Sequence, residues 1–316
     1  MQTITDICQM QQWADASRAD GRRIGLVPTM GYLHAGHLSL VAVARQHGDV
    51  AVASIFVNPI QFGANEDLDR YPRDVDRDTR LLAEAGTDVL FLPDAAAMYP
   101  GGFQTAVTVE RVTRGLCGAS RPTHFPGVTT VVTKLFHIVK PHVAVFGRKD
   151  FQQFVTIRRM VSDLDMDIEI IGAPIVREPD GLAMSSRNAY LSAAERRAAL
   201  CLPKALATAD ALVQHGEADG LRVLAAARRV IADELLARIE YATLADPDTL
   251  EEVSAVRGPT LLALAVHVGK TRLIDNCILD PLAKRFPLPT GEGQACPEPS
   301  RSGEGDLMPS CRHMMI

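Results

Sequence analysis

Short, almost wholly apolar runs alternate with amphipathic stretches through the first half of the chain. Residues 23–27, 50–57 (VAVASIFV), 87–92 (TDVLFL), 142–146 and 167–171 read as strands, the third of them stopped by Pro93. Residues 35–46, 74–85, 128–139 and 150–162 carry helical periodicity between them. Leu38, Val41 and Ala42 share one side of the first helix; Leu81 and Leu82 face inward on the second, which Gly86 is placed to end; the third stops before Pro141. Strands that are apolar throughout, separated by helices of about 10–15 residues, describe βαβ units and a parallel sheet covered on both faces. The expected fold class is α/β, a Rossmann-like doubly wound parallel sheet. Such sheets bind ligands at the carboxyl ends of their strands, which makes the loops after each strand the place to look for chemistry.

The pattern changes near Gly172 to Pro174. An Ala-rich helical stretch covers about residues 192–215 and a second about residues 219–238, followed by strand-like runs at 239–244 and 261–268. This is a smaller α+β module with too little apolar material to repeat the first half. The final segment, containing PLPTGEGQACPEPSRSGEGDLMPS, is rich in Pro, Gly, Ser and Glu and has no hydrophobic periodicity, so it is expected to be disordered. The expected organisation is a catalytic domain over residues 1–173, a smaller lid domain over 174–282, and a tail over 283–316.

Composition narrows the function classes. The 316 residues carry 33 Lys and Arg against 38 Asp and Glu, a formal net charge of −5. A sequence pI near 6.0 argues against a broad basic face for nucleic acid. Mean hydropathy of +0.04, with no apolar run near 20 residues, argues against a membrane span. The polar, helix-like start lacks the basic and apolar regions of a signal peptide, which implies a cytoplasmic setting. Six scattered cysteines without a C-x-x-C pair read as reduced thiols rather than as a zinc cluster.

Four loops carry candidate chemistry. Pro28-Thr29-Met30-Gly31-Tyr32-Leu33-His34-Ala35-Gly36-His37 follows the first strand and opens a helix. His34 and His37 share a side of that helix start, and Gly36 removes a side chain where a ligand can approach. The N–H groups and positive dipole end favour a triphosphate, and imidazoles that titrate near 6.5 can meet it charged. Asn58-Pro59-Ile60-Gln61 follows the next strand and offers neutral hydrogen-bonding groups for hydroxyls or a carboxylate. Gly147-Arg148-Lys149-Asp150, with Gln153 one turn on, offers a cation for phosphate; Asp150 is a helix cap or a ligand for ribose hydroxyls. Asp180 to Asn188 (DGLAMSSRN) combines small hydroxyls with Arg187 at the domain boundary, as a mobile phosphate clamp would. Asp74, Asp76 and Asp78 read as a solvated helix face. The chain has neither G-x-x-x-x-G-K-[ST] nor G-x-G-x-x-G, which excludes a P-loop kinase and the usual dinucleotide fingerprint.

With PTMGYLHAGH, SIFVNPIQF, DLDRYPR, RPTHFPGV, FGRKDFQQ, DGLAMSSRN and RLIDN in this order, the chain resembles the pantothenate synthetase (pantoate–β-alanine ligase) family from about Gly25 to Leu282. The H-x-G-H element and the S-S-R clamp resemble signatures of the wider nucleotidyltransferase superfamily. The resemblance implies ATP-dependent ligation of (R)-pantoate and β-alanine through a pantoyl adenylate, with Mg²⁺ as cofactor and AMP and pyrophosphate released. It implies an ATP site made of Met30, Gly31, Tyr32, Leu33, His34, Ala35, Gly36, His37, Gly147, Arg148, Lys149, Asp150, Val176, Met184, Ser185, Ser186 and Arg187. His34, His37 and Lys149 take catalytic roles in it; Gln61 and Gln153 bind pantoate, and Gln61 also meets β-alanine. Val131 and Val132 give an apolar wall for pantoate's gem-dimethyl group. Metal ligands are left open. The expected partners are the small-molecule substrates and a second copy of the chain, with no nucleic acid and no membrane. Two departures stand out: Arg148 occupies a position where the family more commonly has an acid, and residues 283–316 lie outside the family pattern. A plain nucleotidyltransferase would explain the histidines but not Gln61 and Gln153.

Overall fold

Alternation within single strands sets the layers. A computed structural model gives the fold and describes residues 1–64 and 66–282; the expected tail, residues 283–316, lies outside the described residues. In β2 (Ile24–Thr29), Ile24 and Leu26 join one core while Val27 joins another on the opposite face. β3 (Val50–Ile55) divides in the same way, with Val50 and Val52 opposed to Ala51, Ala53 and Ile55. β5 (Val143–Gly147) opposes Ala144 and Phe146 to Val143 and Val145. Apolar side chains on both faces require cover on both faces. The helices α2 (Ala35–His47) and α3 (Val75–Glu84) cover one side through Leu40, Val41, Ala44 and Leu82. On the other lie α1 (Ile7–Ala19), α6 (His124–Val139) and α7 (Phe151–Asp163), contributing Met10, Leu135, Val139, Ile157 and Met160.

With β1 (Gln2–Ile4), β4 (Val89–Phe91) and β6 (Glu169–Ala173), the described residues form a six-stranded sheet in the order β1-β4-β3-β2-β5-β6, parallel at every pairing. The five strands from β2 onward run in Rossmann-like order. The chain winds outward from β2 through β3 to β4, then crosses back to β5 beside β2. That reversal opens a crevice between the carboxyl ends of β2 and β5, where doubly wound sheets bind ligands. The short helices α4 (Ala95–Met98) and α5 (Leu116–Ser120) lie on the crossover between β4 and α6.

Residues 1–282 form one compact unit. Its later part packs α8 (Ala193–Ala198), α9 (Cys201–Gln214) and α10 (Gly220–Ala232) against an antiparallel sheet of β7 (Ala237–Ala245), β8 (Thr260–Val268) and β9 (Thr271–Leu279). Three details differ from the sequence reading. The single helix expected over 192–215 is two, because Pro203 has no N–H to give and its ring crowds the carbonyl four residues earlier, at Ala199. The helix expected to reach residue 238 ends at Ala232, since pairing of β7 with β8 claims the chain from Ala237. Helix α6 starts at His124 rather than 128, with Pro126 in its first turn where no N–H is needed. No helix among the described residues is long and apolar enough to cross a membrane.

Candidate active site

The chain leaves β2 through a loop of unusual backbone. Gly31 and Tyr32 both adopt left-handed conformations, φ +83° and +50°. For Tyr32 that costs roughly 1–3 kcal/mol, which persists only where the surroundings impose it. Asp78 imposes it. Its carboxylate, 1% exposed, accepts the N–H of Tyr32 at 2.6 Å and of Leu33 at 2.8 Å. Arg77 reinforces the loop by donating to the Leu33 carbonyl at 2.9 Å and lying over the Tyr32 ring. The three aspartates expected on a solvated face thus have separate roles: Asp74 caps α3, Asp76 is exposed, and Asp78 is buried against the β2–α2 loop. The overlooked signal was spacing, since Asp78 lies four residues before buried Leu82 and so on its helix face.

His34 is the N-cap of α2. Its Nδ1 accepts the Gly36 N–H at 3.1 Å, while its own N–H donates to Nδ1 of His37 at 3.3 Å, and the ring centroids are 4.1 Å apart. With Nδ1 of each ring an acceptor, the proton of each neutral imidazole resides on Nε2. Withdrawal from solvent, aided by the nearby Lys149 ammonium, lowers His34 to about 4. Burial, the adjacent His34 and Lys149 lower His37 to about 3. The pair is therefore neutral at pH 7, where imidazoles at their ordinary value would still be partly charged. Gly36 also has a second reason beside the one expected. A Cβ there would stand 2.9 Å from the His34 ring, so glycine admits the capping imidazole itself. The Gly36 and His37 amides are engaged inside the cap, on His34 Nδ1 and the His34 carbonyl. The two Nε2–H groups are the donors left to the cleft.

The loop after β3 builds a second wall. Asn58 is 1% exposed and fully engaged: it donates to Gln61 Oε1 and to the Gly127 carbonyl, each at 3.1 Å, and accepts from the Tyr99 hydroxyl at 2.7 Å. These bonds make it a positioning residue for Gln61 at the cavity wall. With Oε1 held, Gln61 offers its amide N–H groups, one of which lies 3.0 Å from Met30 Sδ. His124 closes the loop from α6, its Nδ1 3.0 Å from the Gln61 carbonyl. This approach of helix to loop depends on Gly127, where a Cβ would fall 2.5 Å from Gln61 Cα. One turn further, Val131 and Val132 present the buried apolar wall.

The turn after β5 and the DGLAMSSRN loop complete the enclosure, and β9 supports both. Asn276 donates to the carbonyls of Arg148 and Lys149 at 3.0 and 2.9 Å. Its neighbour Asp275, 1% exposed, takes Arg177 in a two-pronged pair at 2.7 and 2.9 Å, and Arg177 also binds the Gly181 carbonyl. The clamp meets the first loop where Ser186 Oγ donates to the Tyr32 carbonyl at 3.2 Å. Lys149 lies 3.0 Å from Asp150. Burial opposes ionisation of Asp150, yet Lys149 and Arg187 outweigh it and hold the carboxyl below its ordinary value. Arg187 is paired through two N–H groups with Asp67, at 3.0 and 2.8 Å.

These elements surround a cavity of about 200 Å³. Of the residues expected at the site, Gly31, Tyr32, Leu33, Ala35 and Arg148 do not line it; all the others do, including Gln61, Gln153 and Val176. Leu33 belongs to the core, and Tyr32 contributes its backbone. The exposed Arg148 side chain lies along β6, its Nε 3.0 Å from the place a Cβ on Gly172 would take. The residues missed by sequence reasoning, Asp78, Tyr99, Gly127, Arg177 and Asp275, act on the lining from behind.

Comparison with known proteins shows the family and the fold. Residues 2–278 match the Pantoate-beta-alanine ligase family. The pantothenate synthetase of Syntrophobacter fumaroxidans is 60% identical over 283 residues, covering 90% of this chain and all of that protein. The crystal structure of pantothenate synthetase from Thermus thermophilus superposes with a TM-score of 0.85 at 43% identity, over 89% of this chain and 100% of its own. The pantoate-beta-alanine ligase of Francisella tularensis, crystallised with beta-gamma ATP and beta-alanine, gives a TM-score of 0.74 at 33% identity over 88% and 97% of the two chains.

Proposed function

The chain belongs to the pantoate–β-alanine ligase family and is an ATP-dependent carbon–nitrogen ligase, and we propose that it joins pantoate to β-alanine through a pantoyl adenylate made in the cleft between β2 and β5. In the first half-reaction a carboxylate oxygen of (R)-pantoate bonds to the α-phosphorus of ATP, and the bond to the β-phosphate oxygen breaks to release pyrophosphate. The barrier is electrostatic: anionic groups must be brought in line while charge shifts onto the departing phosphates. The Nε2–H groups of His34 and His37 donate to phosphate oxygens, and Lys149 and Arg187 leave Asp150 and Asp67 to do the same. Asp150, freed, is placed for the ribose hydroxyls, and Val176 lies against adenine. Gln61 and Gln153 hold pantoate, with Val131 and Val132 against its gem-dimethyl group. In the second half-reaction the amine lone pair of β-alanine attacks the acyl carbon. The carbon–nitrogen bond forms, the bond to AMP breaks with its electrons on AMP, and the amine gives up a proton.

Mg²⁺ enters this reading as the counter-ion of the triphosphate. The cleft carboxylates Asp67 and Asp150 each face a cation, and no three His, Cys, Asp or Glu side chains among the described residues are grouped to hold a metal. That donor set suits an ion carried mainly on phosphate oxygens and water. A catalytic domain over residues 1–173 with a lid over 174–282, a homodimer and a cytoplasmic setting complete the proposal.

The observation that carries it is the meeting of the H-x-G-H loop, the Gly147–Asp150 turn and the Ser185–Arg187 clamp around one cavity at the switch point of the sheet. The test is exchange of labelled pyrophosphate into ATP without β-alanine. Exchange should require pantoate, and β-alanine should then release AMP and pantothenate. Ligation without pantoate-dependent exchange would rule out the adenylate.

A further inference from the structure

The cleft has a second compartment that adenylation leaves without a task. This cavity, about 400 Å³, shares Lys149, Asp150, Gln153, Ser185 and Arg187 with the first, so the two meet at Gln153. Among its cations, Arg70 and Lys270 are exposed, and the shielded ones divide by partner. Lys149 and Arg187 are assigned above to phosphates. Arg272 is fixed by Glu240 through two bonds of 2.9 Å and by Cys117, in a contact that seats the antiparallel sheet on α5. Arg121 differs. It stands just before α6, and its guanidinium faces Glu66 in a bidentate pair, Nε donating to Oε1 at 2.6 Å and Nη2 to Oε2. Both side chains are largely shielded, at 15% and 24% exposure.

Glu66 belongs to the loop that joins the Asn58–Gln61 turn to α3, and its neighbour Asp67 holds Arg187 in the same two-pronged way. Two consecutive carboxylates of one loop thus occupy two arginines from separate elements, the second of which is assigned above to an anionic substrate. A planar guanidinium reads any carboxylate in this bidentate geometry, and Lys would not substitute for it. Position then specifies the ligand. The Arg121 carbonyl accepts the His124 N–H at 3.0 Å, and the ring of His124 lies on the Gln61 carbonyl. Arg121 and Gln153 line one cavity, so a carboxylate seated on Arg121 lies in the compartment next to the pantoyl site. A short chain with a carboxylate at one end and an amine at the other can bind there and direct its amine toward the acyl carbon. Resting on the adenylate reading above, we propose that Arg121 binds the carboxylate of the β-alanine nucleophile, and that Glu66 holds this guanidinium until the amino acid displaces it.

The full chain tests this through its two half-reactions and a comparison of β-alanine with propylamine, which has the amine and no carboxylate. Arg121→Gln should raise the β-alanine KM by about 10- to 100-fold, the scale of losing a charge-assisted bidentate pair. It should shrink the preference for β-alanine over propylamine by a similar factor while changing the pantoate and ATP requirements of pyrophosphate exchange far less. Arg121→Lys, which keeps the charge and the fold but not the fork, should fall between. Glu66→Gln removes the competitor and should lower the β-alanine KM about 2- to 5-fold, in keeping with one weakened ion pair. Unchanged β-alanine KM and unchanged preference in both Arg121 variants would overturn the proposal, as would a rise confined to the ATP requirement, which would assign Arg121 to phosphate. Absence of pantoate-dependent exchange in the unaltered chain would instead remove the adenylate reading itself.

Discussion

Because a backbone N–H donates into Nδ1 of each ring, His34 and His37 present Nε2–H to the cleft, and burial keeps both neutral, near 4 and 3 against an ordinary 6.5. A neutral donor can stabilise charge that grows on phosphate without the cost of burying a cation. His37→Ala should leave the fold intact and slow pantoate-dependent exchange by ~10²-fold, the scale of one lost transition-state donor; exchange within a few fold of normal would reject the role. The same shifts set a pH dependence. An unfolded chain protonates these histidines near 6.5 and the folded chain only near 3 to 4, as for His124, also held at about 4 by burial and Arg121. The unfolded state thus binds more protons in that interval, and stability is complete above pH 7 and lost as pH falls through 6.5. The Glu240 carboxyl, opposed by burial but drawn to about 2 by Arg272, loses its contribution only below its ordinary 4.5. Melting temperature should therefore hold from pH 8 to 7 and fall by pH 5, and His37→Asn should flatten that fall. A profile equally steep in the variant would contradict the assignment. At this scale the sequence displayed the chemistry of His34, His37, Lys149 and Arg187 plainly. It did not display their charge state, which depends on how much water the rest of the fold removes.

Helices and loops here are legible in proportion to how local their causes are. The H-x-G-H turn follows from Pro28, Gly31 and the cap at His34, all within one decapeptide. The packing of α6 against the loop after β3 depends on a distant contact, the Gln61 backbone against Gly127. Gly127→Ala should force helix and loop apart, lowering stability by about 1–3 kcal/mol, as overpacking usually does. It should also raise the pantoate KM at least several-fold more than the ATP KM, since Gln61 and the Val131–Val132 wall move and the histidines do not. Equal effects on both substrates would place the change in global stability instead. The break between α8 and α9 was readable from Pro203 alone. The early end of α10 was not, because residues 233–236 have helical composition and only the pairing partner on β8 draws them out.

The whole molecule joins its two sheets through β9, whose Asp275 anchors the clamp through Arg177 and whose Asn276 holds the turn after β5. Asn276→Ala should raise the ATP KM about 10-fold, as two carbonyls of that turn lose their donor; an effect on β-alanine alone would refute that coupling. By itself the sequence determined the α/β class, the parallel order of apolar strands and the four loops that carry reactive groups. Those follow from side-chain periodicity and local backbone preference, which act over one or two turns of chain. Only the tertiary structure decided that Asp78 is buried rather than solvated, that Asn58 holds Gln61 and Gly36 admits the His34 ring, and that Glu66 and Asp67 grip Arg121 and Arg187. Each of these is a pairing between residues remote in sequence or a withdrawal from water, and neither exists until the sheet has closed and brought its loops together.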